Sequence, residues 1–160
     1  MLEHLYARIG KLEKEQADLI ASRDESVKQY GTLLHMIKEL TINASQAAKR
    51  AASAADKALL AGRLASMTAR DAMLKGALDV ADAALEVAKA ASDAAVEAAA
   101  AAVEAWTAAL LAAGHNADAE LLNMSSQASK ASRDAAEAAA SALQVFAEAY
   151  EVVKKARDSD

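Results

Sequence analysis

The sequence predicts an all-α protein: an elongated antiparallel bundle of three long helices forming a single domain over residues 1–160. Three observations carry this. Alanine supplies 47 of the 160 residues, and it is the best helix former and is depleted in strands. Proline is absent and glycine occurs only five times, so the residues on which β-rich folds build their turns are missing. Apolar residues also recur in alternating steps of three and four, the period of helices packed side by side. Apolar residues other than Ala number 40, enough for thin seams rather than a thick core.

The first element has the strongest periodicity. Leu2, Leu5, Ile9, Leu12, Gln16, Leu19, Arg23, Ser26, Tyr30, Leu33, Ile37 and Leu40 keep the alternation. The same phase runs on through Ala44, Ala47, Ala51, Ala54, Ala58 and Ala61. The unbroken phase predicts one helix over 2–61, ~90 Å long, ending at Gly62. The alternative breaks it near 41–46, with Asn43 and Gln46 as a capping box, and gives four helices. Thr68 to Asp71 resembles a second helix start, so the next helix is expected over 68–113. Gly76 inside it marks either a close crossing or the true helix start. This central helix is apolar around most of its circumference, which implies neighbours on more than one side.

Gly114, just past an apolar run, is a helix-ending residue. Asn116 or Asp118 can cap the third helix, expected over 118–157. Its expected seam runs Leu122, Ser125, Ser129, Ser132, Ala136, Ala139, Leu143, Phe146, Tyr150 and Val153. Small residues in the first half predict a close helix contact, and bulky ones in the second a wider spacing. Lys154, Lys155 and Arg157 suit the negative end of its dipole.

Charge narrows the function classes. The net charge is −5, with basic residues scattered among acidic ones, so no basic stripe offers itself to nucleic acid. Residues 1–50 are balanced, and the acidity lies in 51–160. Cysteine is absent, which excludes a disulfide framework and thiol chemistry. No uninterrupted apolar run reaches the ~18 residues of a membrane span, and Met1 to His4 do not open a signal peptide. His4, His35 and His115 lack a second ligand at metal spacing, and no Gly-x-Gly phosphate loop occurs. The expectation is a protein with no enzymatic activity, no cofactor and no metal.

A few residues stand out. Trp106, alone on an Ala-rich helix, reads first as a packing anchor and second as a binding hot spot. His115 reads as a solvated turn residue. Gln16 and Arg23 at seam positions read as register-setting polar groups. Phe146 and the three tyrosines are too dispersed for an aromatic ligand box. Asn43 and Asn123 open Asn-x-Ser sequons and are N-glycosylation candidates in a secreted protein.

The stretch from Leu2 to Leu40, followed by long Ala/Glu/Asp helices, resembles the glutamic acid/alanine-rich surface protein of African trypanosomes over essentially the whole chain. The resemblance implies an elongated bundle like that of variant surface glycoproteins. It also implies a glycolipid-anchored ectodomain at the cell surface, part of the insect-stage coat of a parasite. The signal and anchor sequences would lie outside this chain. Expected partners are neighbouring coat proteins or a second copy, with the membrane reached only through the lipid anchor.

Two other readings remain. One is a ligand-binding surface receptor module using the hairpin end near 106–118, with Trp106, His115 and Asn116 as a membrane-distal recognition surface. The other is an intracellular coiled-coil adaptor or scaffold, zipping residues 1–40 onto a partner helix.

Overall fold

A computed structural model gives the fold of residues 2–114 and 118–158. It is all-α: α1 spans Leu2–Leu74, α2 Leu78–Gly114 and α3 Ala119–Arg157, and all three pack against one another. Interhelical pairs set the topology. Lys38 reaches Glu120 at 2.6 Å, Lys49 reaches Gln127 at 2.6 Å and Arg70 reaches Glu148 at 3.4 Å. These pairs advance together along both helices, so α1 and α3 run in the same direction. α2 returns between them, and Arg157 of α3 pairs with Asp82 near its start.

The first helix is continuous through 41–46, so the four-helix alternative does not hold. Thr41 lies inside it and donates its hydroxyl to the Ile37 carbonyl at 2.9 Å. The expected end at Gly62 is corrected, and so is the expected start at Thr68. Thr68 donates its hydroxyl to the Leu64 carbonyl at 3.0 Å, a mid-helix bond rather than a cap. The turn falls at Gly76, whose φ of +72° suits only a residue without Cβ. The Ala77 amide donates to the Ala72 carbonyl at 2.9 Å and the Gly76 amide to the Met73 carbonyl at 3.0 Å. That pair of bonds is a Schellman ending, which satisfies the last carbonyls of α1. At the other end Asp118 caps α3, its carboxylate accepting from the Glu120 amide at 2.8 Å. Lys154, Lys155 and Arg157 occupy its last turn.

The packing lines also differ from the expected seams. On α1 the buried line runs through Thr41, Ser45, Ala48, Ala52, Ala55, Gly62, Ser66 and Ala69, one residue later than the expected phase. On α3 it holds Leu121, Ser125, Ala128, Ser132, Ala135, Ala139, Ala142, Ala149 and Val153. Of the ten positions of the expected α3 seam only Ser125, Ser132, Ala139 and Val153 lie on this line; Leu122, Leu143 and Tyr150 stand about half exposed. On α2 the line holds Ala81, Leu85, Ala88, Ser92, Ala95, Ala102, Ala109 and Ala113. Three closely spaced axes leave room for a methyl or hydroxymethyl group, and longer side chains are displaced to the flanks. The close contact expected at Ser125, Ser129 and Ser132 is present: Ser125 and Ser132 are buried and Ser129 is half-buried.

By length and composition α2 is one helix that could cross a membrane. The expectation that no apolar run reaches that length is corrected here: across 97–114 of α2 only Glu97 and Glu104 are charged. In this fold its alanine line faces α1 and α3.

The glycines separate two roles. A Cβ built on Gly62 would sit 3.6 Å from the Ala91 Cβ, an ordinary contact, whereas Gly76 holds a positive φ. Gly62→Ala is expected to raise stability by up to ~1 kcal/mol through helix propensity. Gly76→Ala is expected to lower it by about 1 kcal/mol through backbone strain. Thermal unfolding of the two variants checks the pair; the opposite signs would mean the turn is misplaced.

Candidate functional site

Two surfaces carry more than solvated polar groups. The first is a groove between α2 and α3 near the Gly76 end, about 510 Å³, lined by Leu85, Glu86, Lys89, Phe146, Tyr150 and the Asp82–Arg157 pair. Phe146 and Tyr150 are one helical turn apart on α3, and their rings meet at 6.1 Å with a 44° tilt. The groove forms where bulky residues join the alanine line. Buried Leu85 and Val153 cluster with Ala69, Ala84 and Ala149, and Phe146 packs against them. The slot lies beside this cluster, with Leu85 and Phe146 belonging to both. Its walls pair apolar faces with acidic and basic side chains, chemistry that suits an amphipathic occupant.

The expectation that the aromatics are dispersed is therefore corrected for two of them. The signal was available: Phe146 and Tyr150 are spaced i, i+4, which places them on one helix face. Tyr6 and Tyr30 lie exposed on α1, away from this groove.

The second surface is the N-terminal part of α1. At the other end of the bundle α1 meets α3 through Lys38 and Glu120. From there it continues alone toward its N-terminus for more than thirty residues. Leu5, Leu12, Leu19 and Leu33 are more than half exposed along it. Charged pairs form within the helix, Lys11 with Glu15 at 3.8 Å and Arg23 with Asp24 at 3.1 Å. Beside the bundle entry, the hydrogen bond from Lys38 to Glu120, reinforced by that carboxylate's charge, raises the Lys38 pKa above its ordinary value.

The residues singled out in the sequence do not assemble into one site. Trp106 is half-buried and packs against the alanine cluster that includes Ala48, Ala102 and Ala128, the placement of a packing anchor. His115 and Asn116 lie outside the described residues. Asn43 and Asn123 are both exposed. Asn123 lines a shallow depression between α1 and α3 with Ile42, Lys49 and Gln127, so the two sequons sit at the same level of the bundle. Ser45 and Ser125, the hydroxyl residues of both sequons, are core residues. Among the described residues no three His, Asp or Glu side chains converge as a metal site.

No protein-family model, curated protein or solved structure matches the chain. Function is therefore read from the chain's own geometry.

Trp106→Ala is expected to lower stability by about 2 kcal/mol, roughly half the cost of removing a fully buried Trp. Chemical denaturation checks this. An unchanged midpoint would return Trp106 to the status of a surface recognition residue.

Proposed function

We propose that the protein is a non-catalytic structural rod, one unit of a cell-surface coat. The observation that carries this reading is the alanine line along the whole bundle. Small residues at most helix contacts let the axes approach toward ~8 Å, the lower end of the usual range. A rod this slim allows many copies per unit of membrane area. The net charge of −5 gives neighbouring rods a mutual repulsion that discourages non-specific adhesion.

The resemblance to the trypanosome surface protein supports the same reading and adds a glycolipid anchor beyond the C-terminus. In that arrangement the Gly76 turn and the end of α3 lie nearest the membrane, and the free part of α1 points away from it. Neighbouring coat proteins are then the main partners. Asn43 and Asn123, both exposed toward the outer end, are the candidate glycan acceptors.

A second reading, a coiled-coil scaffold, is favoured by one specific observation: the uncovered apolar row at the N-terminal part of α1. A receptor module at the hairpin end has less support, because Trp106 packs inward.

Antibody raised against the folded chain separates the two. On the coat reading it labels intact cells of the source organism, and treatment with a phosphatidylinositol-specific phospholipase releases the label. Labelling confined to permeabilised cells would overturn the coat reading and leave the scaffold.

A further inference from the structure

Along α1, a row of leucines extends from Leu5 to Leu40, and among the described residues no other element covers it. Leu5, Leu12, Leu19, Leu33 and Leu40 are each more than half exposed. The row lies one residue before the bundle-facing line of Leu34, Thr41 and Ser45, which is ~100° around the helix. It therefore stays open even where α1 has entered the bundle. Contiguous exposed apolar surface of this kind marks an interaction site rather than scattered surface leucines. Helices in proteins draw most of their stability from packing an apolar face, and this arm has such a face to offer.

We infer that this row is the interface of a parallel, in-register homodimer, in which residues 2–40 of two chains wind into a two-stranded coiled coil. Written in heptads, Leu5, Leu12, Leu19, Leu33 and Leu40 fall at d with Ser26 among them, and Ile9 and Ile37 fall at a with Leu2, Gln16, Arg23 and Tyr30; Ile37 is already half-buried within its own chain. Isoleucine at a with leucine at d is the pattern that selects two parallel strands. The same register sets Gln16 against the partner's Gln16, where the two amides can hydrogen-bond to each other. An antiparallel pairing would face each of these a residues with a d residue instead.

Charge agrees with this register. Arg8 at g faces the partner's Glu13 at e, and the symmetry repeats the attraction on the other side. Residues 2–40 carry six basic and seven acidic groups, so two copies do not repel as the acidic body would. Arg23 at a meets its own copy. Asp24 lies 3.1 Å from its guanidinium and offsets that charge, while the long side chain can carry its head outward. The size is sufficient. A strip ~10 Å wide and ~58 Å long on each copy covers about 1,200 Å² in total, the lower end of specific stable interfaces. Because α1 meets its bundle ~100° away from the row, the two bundles fall on opposite sides of the coiled coil without collision.

The dimer interface rests on the row alone and holds for coat and scaffold readings alike. Sedimentation equilibrium at micromolar concentration is expected to give twice the chain mass of 16.6 kDa. Leu12→Glu should return the protein to a single chain mass, with the thermal unfolding of the three-helix part unchanged because Leu12 lies outside it. The chain has no cysteine, so a single Leu12→Cys reports orientation cleanly. In-register parallel strands bring the two introduced thiols together, and mild oxidation joins them in a disulfide. A wild-type protein of single chain mass would overturn the proposal, including one that binds anionic lipid vesicles through the same leucines. A dimer that survives Leu12→Glu would overturn the interface, and a Leu12→Cys dimer that fails to cross-link would overturn the orientation.

Discussion

Where the three helices face one another, the chain places almost nothing larger than a methyl or hydroxymethyl group. The rest of the architecture follows from that constraint. Small side chains let the helices approach closely, and close approach then excludes anything bigger, including the leucines and valines one position away. Each contact buries little apolar area, so stability has to accumulate over many turns. Length is the fold's substitute for a thick core. The exceptions stand at the two ends. Leu121 is fully buried near the start of α3 and Val153 near its finish, and Leu85 is buried in the first part of α2.

The second feature is the excess length of α1, 73 residues against 37 and 39 for its neighbours. Its two halves are different in kind. From Thr41 onward it presents small residues to α2 and α3. Before that it presents leucines and isoleucines to solvent, on a line one residue out of phase. The change of side-chain size divides one continuous helix into a bundle component and a free arm. On the proposed readings the slim body suits dense lateral packing and the free arm suits a specific contact at the tip. Coat and scaffold functions draw on these properties in different proportions.

Much of this was legible in the residues. Composition fixed the helical class, and the continuous phase from Leu40 to Ala61 correctly favoured one long helix over two. The helix end at Gly114 and the Asp118 cap were readable from the familiar grammar of helix ends. The first turn was not, because Gly62 and Gly76 look alike in a sequence. One lies buried in mid-helix with room for a methyl group beside Ala91, and the other supplies a positive φ. The packing phase was misread for a related reason. A seam is normally traced through the largest apolar residues, but in this bundle those residues flank the contact and the alanines make it. The pairing of Phe146 with Tyr150 was readable from their i, i+4 spacing, but the groove was not, because it also needs Leu85 and Glu86 brought up from α2, a tertiary event.

Close approach, rather than apolar volume, holds the bundle together. Thermal unfolding of Ala95→Leu tests that claim most directly. Ala95 is fully buried and clusters with Ala139 and Ala142 of α3. If closeness is the constraint, the larger side chain forces the axes apart and lowers stability by about 1–3 kcal/mol. If the bundle is simply short of buried apolar surface, the same substitution adds surface and raises the melting temperature, which would contradict the claim.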